Sequence, residues 1–558
     1  MSAVLGILLA ALTCGSSHAA TVTTNGFDLF VNGTRMVIKG INYSPVPIGV
    51  MPGDPPYGDY FVPEYSNVWT PDIQNMRAAG VNAIKLYAGN PGLNAGAPGS
   101  AGNWKQFLDA CYNGGSNPIY VVMFSYVQGD VIAAGGAAYQ QYITDYQNLV
   151  DSTATHPAIL GYCVGNEIFG GDVTSNPQFW VNYGALLNAA KAAGQSQGVT
   201  PFLMTATNDN YTPAQTWPAI QLGENSNQLG SLDAWGINVY RGPLFGGAGN
   251  SVFLQYQQLM TSLNKTKPLI LGEWGTPHST RPAVTPPADP PPGYYGTTGL
   301  PTVAPINLDT IPQNQMGQGE PYFAATTTSQ FLTTQWQTII ANVGAGTNQV
   351  CVGGFIFDWC DEYWKGNDPD VQQGGPDQDF QGGAFAGGYW DEAWFGITSA
   401  VDQSQYGNNQ PNINRTLFAA YAGIRAFYTS TTHLASPLYG HPVFGAPNRG
   451  RPEIEIELPT RKSLITKEKT VVIRGTASGG GGIDQILVRG PRERYQLATG
   501  TTDWSSQEDL RLGSNRFTIK AVGATGVTTT ETITIYRIPD HRRGKNDWRG
   551  KNHWRRDR

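Results

Sequence analysis

The sequence predicts an α/β protein: an eight-stranded (β/α)8 barrel followed by a small all-β sandwich of immunoglobulin-like type. Three observations predict it. Apolar runs of strand length alternate with amphipathic segments of helix length along the first 430 residues. Two of those runs end in a glutamate, in Val164-Gly165-Asn166-Glu167 and in Leu271-Gly272-Glu273-Trp274-Gly275. Beyond a stretch rich in Pro and Gly at 431–451, short clusters of β-formers replace that rhythm.

The elements follow in order. Residues 4–13 form an apolar core and Ser17-His18-Ala19 resembles a small-residue cleavage site, so 1–19 reads as a signal peptide and the product as secreted or cell-wall associated. Residues 27–38 read as a hairpin around Asn32-Gly33, a favoured two-residue turn. The strand candidates are 37–43, 81–87, 119–124, 159–165, 202–207, 234–240, 269–273 and 353–358. Helical patterns occupy 71–79, 139–152, 178–193, 252–263 and 327–342, and 417–428 supplies a closing helix. A doubly wound open sheet lacks support, because no glycine-rich dinucleotide turn follows the first strand. The catalytic barrel is thus placed at 20–430, with a linker at 431–451. The sandwich at 452–538 rests on strand candidates 453–458, 469–474, 484–489, 516–522 and 529–536, and reads as a spacer or attachment module. The tail at 539–558 repeats itself, is basic, and reads as disordered. An anionic cell-surface polymer is its expected partner, held by charge and by stacking on Trp548 and Trp554.

Composition narrows the classes. Only 14% of the 558 residues are charged, while Gly numbers 69 and Trp 14, which describes a folded, aromatic-rich, loop-rich protein. A net charge of -6 gives no reason to expect nucleic acid. No stretch after the N-terminus is apolar for long enough to span a bilayer. Removal of the leader takes Cys14 and leaves Cys111, Cys163, Cys351 and Cys360, which the sequence cannot pair. Asp361, Glu362, Asp368, Asp370, Asp377 and Asp379 crowd one loop with oxygen ligands, but without EF-hand spacing. No metal and no cofactor are expected. His278 stands near Glu273 without a serine-nucleophile motif.

A carboxylate at the C-terminal end of a parallel barrel strand sits where this fold does its chemistry. Two of them facing each other are the equipment for cleaving a glycosidic bond. Glu167, after the fourth strand, is assigned as acid/base, and Glu273, at the end of the seventh, as nucleophile. The acid needs a raised pKa, the nucleophile needs hydrogen bonds. Tyr240 is placed to donate one, and Asn166 to bond the sugar's 2-hydroxyl. Tyr43, Tyr87, Asn208 and Asp209 sit at strand ends and are candidates to line a sugar cleft. Trp359 and Trp364 are candidates to stack on sugar rings. Trp364 lies with Trp390 and Trp394 in a long loop at 360–399, and a second long loop at 276–322 follows Glu273; loops of that length are usually functional.

These residues resemble a family. Asn166-Glu167 after strand four and Glu273 after strand seven look like the clan-A retaining glycoside hydrolases. The nearest likeness is to the family 72 β-1,3-glucanosyltransferases. It rests on Lys39-Gly40-Ile41-Asn42-Tyr43, Gly80-Val81-Asn82-Ala83-Ile84-Lys85-Leu86-Tyr87, Thr207-Asn208-Asp209, Trp235-Gly236-Ile237-Asn238-Val239-Tyr240 and the two glutamate motifs. It extends to Gly353-Gly354-Phe355-Ile356-Phe357-Asp358 and Trp394-Phe395-Gly396-Ile397. The chain departs by carrying Lys85 where the family has Arg, a point charge in place of a planar fork. A β-sandwich and basic tail stand where the family has a cysteine-rich appendage and a lipid anchor. The resemblance implies a secreted retaining β-glycosidase or transglycosidase on a polysaccharide, β-1,3-glucan favoured. The alternatives are another clan-A activity, such as mannanase or galactosidase, and a non-catalytic wall-binding protein.

Overall fold

A computed structural model describes residues 19–52, 60–87, 104–209, 216–246, 251–280, 306–308, 328–344, 349–366, 368–372, 384–430, 453–459, 463–478, 483–491, 495–523 and 528–538. The leader core, the linker, the basic tail, most of the 276–322 loop, Asp377, Asp379 and the 479–482 glycines lie outside the described residues. The chain divides into two compact units, Met1–Tyr439 and Gly440–Arg558.

Apolar runs such as Ile159-Leu160-Gly161-Tyr162-Cys163-Val164 carry oily side chains on both faces. They are stable only where both faces are covered, as in a parallel barrel sheathed by helices. The first unit is that barrel. It opens with a small antiparallel sheet, β1 (Val22–Asn25), β2 (Asp28–Val31) and β3 (Thr34–Met36). The β2–β3 turn is Asn32-Gly33 with φ of 51° and 75°, the left-handed pair that a tight hairpin requires.

The barrel strands follow: β4 (Ile38–Tyr43), β5 (Ala83–Leu86), β6 (Tyr120–Ser125), β7 (Ile159–Asn166), β8 (Leu203–Asp209), β9 (Ala234–Val239) and β10 (Leu269–Trp274). After a two-stranded antiparallel ribbon, β11 (Ser279–Thr280) with β12 (Ile306–Asn307), the eighth barrel strand is β13 (Cys351–Ile356). The closed order is β10-β13-β4-β5-β6-β7-β8-β9, every pair parallel. Ile38, Ala83, Val122, Leu160, Met204, Ala234, Ile270 and Val352 fill the interior, and Leu29 and Val31 of the first sheet pack with them. Several of these begin their strands, so β1–β3 seals the N-terminal end and leaves the C-terminal end for chemistry.

The helices expected from periodicity form at Ser66–Ala78, Gly136–Thr153, Pro177–Ser196, Val252–Leu263, Thr328–Ala341 and Ala419–Tyr428. The first starts five residues before its expected start at 71 and runs through Pro71. Proline removes the N–H that would bond the carbonyl of Asn67. That carbonyl instead accepts from the Ile413 N–H at 3.0 Å, which makes the interior proline tolerable. Four further helices, Lys105–Tyr112, Gly129–Ala134, Gly171–Thr174 and Thr216–Asn225, were not expected, being too short to show a clear helical period.

A buried ion pair ties the first helix to the closing segment. Arg415 Nε donates to both oxygens of Asp72 at 2.9 and 3.1 Å, with both side chains 1% exposed. The Tyr43 hydroxyl donates to Asp72 Oδ2 at 2.9 Å. Removing one partner leaves a buried charge uncompensated. Arg415→Met is therefore expected to destabilise the barrel by about 3–5 kcal/mol, read as a lowered melting temperature; an unchanged melt would show the pair to be dispensable.

The second unit is a two-sheet sandwich. Its strands are β14 (Glu453–Leu458), β15 (Ser463–Thr466), β16 (Thr470–Ser478), β17 (Ile483–Arg489), β18 (Gln496–Leu497), β19 (Asp503–Asp509), β20 (Gly513–Gly523) and β21 (Thr528–Arg537). The sheets run β14-β16-β19 and β15-β21-β20-β17-β18. Alternate residues Ile473, Ile486, Val488, Phe517, Ile519, Ile533 and Ile535 build the core around Trp504. Strands β15, β18 and β19 were not expected. In β19 only Trp504 is buried, so its sequence shows no alternation, and its place is set by pairing along β16.

Candidate active site

Both glutamates owe their aim to an irregularity in their strand. Along β7, Cys163 pairs with Met204, but the next pair is Asn166 with Ala206, so the strand carries an extra residue. Gly165 takes φ 84° within that bulge and Glu167 takes φ 56°, with its N–H held by the Ala206 carbonyl at 2.8 Å. Along β10 the register slips between Leu271, opposite Ile237, and Glu273, opposite Asn238. A bulge re-aims the side chains that follow it, and here it turns Glu273 toward the mouth. Gly272 is required at that slip, since a Cβ there would stand 2.5 Å from Asn238 Oδ1.

Glu273 is 7% exposed and held on both oxygens. Tyr240 OH donates to Oε2 at 2.7 Å, and Tyr87 OH donates to Oε1. Lys85 Nζ stands 4.0 Å from Oε1 and donates to Asn166 Oδ1 at 3.2 Å and to the Gly272 carbonyl at 3.3 Å. Burial, and then the charge of Glu273, push both tyrosine hydroxyls well above their ordinary range, so they remain donors. Two hydroxyl donors and a nearby ammonium thus face this one carboxylate.

Glu167 differs in each respect. Its side chain opens to solvent at the mouth, yet protein walls it closely on the other sides. That enclosure, and then the charge of Glu273, push its carboxyl up to about 7, against the lowering effect of a hydrogen bond from Asn238. Asn238 Nδ2 donates to Glu167 Oε1 at 2.9 Å and to Asn166 Oδ1 at 3.2 Å. The bonds therefore run unbroken from one glutamate toward the other: Glu167, Asn238, Asn166, Lys85 and Tyr87, then Glu273. With two donors, Lys85 Nζ and Asn238 Nδ2, converging on Asn166 Oδ1, its amide nitrogen is the end turned away from them.

Of the sequence candidates, the structure brings Glu167, Glu273, Asn166, Tyr240 and Tyr87 into one group. Asn208 is half-buried opposite Asn238 in the β8–β9 register, at the edge of it. Asp209 ends β8, and its side chain lies outside the described residues. Tyr43 is not in the group: fully buried, it gives its hydroxyl to Asp72 beneath the first helix. Trp359 is not in it either. Its backbone N–H donates to the Asn42 carbonyl at 3.1 Å, and its ring packs 6.2 Å from Tyr421 of the closing helix. Both aromatics pack in the buried cluster that joins the barrel to its helices.

The tryptophan loop packs around the site. Trp390 lies 5.6 Å from the Tyr240 ring, in a cluster with Phe357, Phe385 and Phe395, and so fixes the tyrosine that holds Glu273. Trp394 packs against His278 at 5.1 Å. Trp364 is half-buried beside Val46, Val50 and Tyr60. His278 Nε2 meets Asp361 Oδ1 at 3.0 Å. Among the described residues no three His, Cys, Asp or Glu side chains converge as metal ligands. Cys111, Cys163, Cys351 and Cys360 are buried free thiols.

Asn238 was missed by the sequence reading. It stands two residues before Tyr240, and residues two apart on a strand share a face, so the assigned tyrosine pointed to it. Replacing Tyr240 by Phe removes one charge-assisted hydrogen bond and leaves the ring packing. The expected cost is about 1.5–3 kcal/mol in the transition state, or roughly 10–100-fold in kcat, with little change in KM. A Tyr240→Phe enzyme with wild-type kcat would remove that role.

The fold is a closed eight-stranded parallel barrel, and part of the chain is similar in sequence to a curated protein. Over 256 residues the chain is 27% identical to the 1,3-beta-glucanosyltransferase gas1 of Schizosaccharomyces pombe, covering 45% of this chain and 43% of that protein. The chain thus spans under half the length of that curated relative. Among solved structures it is similar to β-glucuronidase 2 of Bacteroides uniformis, covalently bound to cyclophellitol-6-carboxylate aziridine, at 10% identity and a TM-score of 0.42, over 93% of this chain and 48% of that one. It is also similar to a modular endo-β-1,4-mannanase of Cellulomonas fimi, at 11% identity and a TM-score of 0.33, over 90% and 94%. No protein-family model matches the chain. No helix among the described residues is long and apolar enough to cross a membrane.

Proposed function

We propose that this protein is a retaining β-glycosidase or transglycosidase acting on a polysaccharide. The supporting observation is the division of labour between two linked carboxyls: Glu273 held by Tyr240, Tyr87 and Lys85, and Glu167 pushed up to about 7 at the mouth. In the first step Glu273 attacks the anomeric carbon, the glycosidic C–O bond breaks, and Glu167 gives its proton to the departing oxygen. In the second, Glu167 takes a proton from water or from an acceptor hydroxyl. The oxygen so activated attacks the same carbon and releases Glu273. Water makes the enzyme a hydrolase, and a sugar hydroxyl makes it a transferase.

β-1,3-Glucan is the substrate to test first, on the strength of the similarity to a 1,3-β-glucanosyltransferase. The test is incubation with defined oligosaccharides of β-1,3-glucan, β-1,4-mannan and β-1,4-galactan, with product lengths read by mass spectrometry beside a Glu167→Gln control. Products longer than the substrate that vanish in the control identify a transferase, and shorter ones alone a hydrolase. Mannan or galactan as the sole substrate moves the specificity to another clan-A activity. No change with any glycan rejects the enzymatic reading.

The basic tail, lying outside the described residues, goes with this reading as a holder of an anionic wall polymer or lipid. Deleting residues 542–558 is expected to abolish salt-sensitive retention on such a surface while leaving turnover of soluble oligosaccharide intact. Retention that survives the deletion rejects the role.

A further inference from the structure

The proton on Glu167 can sit on either carboxyl oxygen, and the structure distinguishes the two. Oε1 accepts from Asn238 Nδ2 at 2.9 Å, while among the described residues no donor meets Oε2. Asn238 lies on β9 and is 0% exposed. The orientation of its amide is fixed from the far side. Lys85 is fully buried and its ammonium only donates, so the Asn166 atom that faces it at 3.2 Å is Oδ1. Asn238 meets that same Oδ1 at 3.2 Å, so the atom it presents there is Nδ2. Turned over, the amide would set oxygen against oxygen. Its own Oδ1 lies against Gly272 and is buried with no hydrogen-bond partner, a cost that the two Nδ2 bonds offset. Lys85 thus orients Asn166, Asn166 orients Asn238, and Asn238 sets which oxygen of Glu167 accepts.

A protonated carboxyl accepts best at its carbonyl oxygen and donates from the other. We propose that Asn238 is a positioning residue for the acid/base step: its amide holds Oε1 of Glu167 as an acceptor and so commits Oε2 to carry the proton to the departing oxygen. The inference rests on the glycosidase reading given above and adds to it the atom that makes the transfer. In that step the Oε2–H bond breaks, an O–H bond forms on the departing oxygen, and Glu167 is left as a carboxylate. The bond from Asn238 then runs to an anion and strengthens. It stabilises the state after transfer more than the state before it, which lowers the barrier between them. In the second step the same bond leaves Oε2 to take the proton back.

The charged and titratable groups around Glu167 come from four elements: Glu273 on β10, Lys85 on β5, Lys365 in the loop after β13, and the Tyr240 hydroxyl just past β9. Enclosure and then Glu273 raise the carboxyl, and the Asn238 bond opposes them ahead of Lys365 and Lys85. Loss of that bond moves the titration upward, and the alkaline limb of kcat/KM moves to higher pH with it.

The test uses the full chain, the oligosaccharide it turns over fastest, and an aryl glycoside of the same sugar whose phenolate leaves without a proton. Wild type, Asn238→Leu (which keeps the branched shape without the donor) and Asn238→Ala are compared, with folding checked by circular dichroism. On the oligosaccharide both variants are expected to lose about 10–100-fold in kcat/KM, carried by kcat with KM little changed, and to move the alkaline limb up by about one pH unit. On the aryl glycoside the loss in the first step is expected to shrink to about threefold or less. A purely structural role would slow both substrates alike and leave the limb in place. That result in either folded variant overturns the proposal, and so does wild-type kcat on the oligosaccharide. If the wild type turns over no member of the glycan panel, the glycosidase reading itself falls; an active wild type beside unaltered variants overturns the role of Asn238 alone.

Discussion

Replacing Glu273 by alanine is expected to lower turnover by roughly four orders of magnitude or more, because it removes the carboxylate proposed to form the covalent intermediate. The neighbours make the prediction specific. Tyr240, Tyr87 and Lys85 all converge on this one carboxylate, so its removal also strands their donors around a small polar space. Azide is small and anionic enough to enter that space and attack the anomeric carbon from the same side. Azide should therefore restore cleavage in Glu273→Ala and yield a glycosyl azide of inverted configuration, visible by proton NMR. The wild type should give a product of retained configuration. A Glu273→Ala protein at full turnover, or an inverted product from the wild type, would falsify the double displacement.

The second large effect concerns Glu167. Its carboxyl stands at about 7, raised first by its enclosure and then by Glu273. The leaving oxygen needs a proton, so the competent form is the protonated one, present below that value. The kcat/KM of the wild type should fall about tenfold per pH unit above it, with a limb that belongs to the coupled pair and not to Glu167 alone. Glu167→Gln cannot donate a proton. It should lose about 10²–10⁴-fold on natural glycosides and lose that alkaline limb. An aryl glycoside whose phenolate leaves without a proton should recover most of the rate of the first step. If Glu167→Gln keeps the wild-type pH profile, the proton comes from elsewhere. Substrate binding strips water from the one open face of Glu167, which pushes the limb higher in kcat than in kcat/KM.

The barrel was legible because its signal is repeated and unambiguous. Eight apolar runs separated by helical patterns leave few other ways to cover both faces of each strand. The glutamates were legible for a related reason, since a strand's C-terminal end needs no long-range information to find. What escaped depended on pairing across the chain. The helix through Pro71 stands because Ile413, far away in sequence, supplies the missing donor. Strand β19 looks like a polar loop until β16 pairs with it. Tyr43 and Tyr87 both close their strands in sequence, yet one serves Asp72 and the other Glu273. Local pattern carries no record of a one-residue slip, and the bulges before Asn166 and Glu273 are such slips. An indole is apolar enough to serve a sugar or a core, and only packing shows that Trp359 is fully buried while Trp364 is half-buried.

The hairpin sheet at the base of the barrel bears on traffic. Leu29 and Val31 pack with the barrel interior at the end remote from the glutamates, and among the described residues that interior is filled with side chains. In the proposed reaction, substrate and products then share the C-terminal mouth of the barrel. The severed fragment must clear that mouth before water or an acceptor can take its place. A slowly departing fragment would sit where an acceptor sugar must sit, and would itself be the best-placed group to reverse the reaction. In the proposed reaction, the balance between breaking chains and rejoining them is then a contest of residence times at that mouth, set by its walls more than by the two carboxyls at its base.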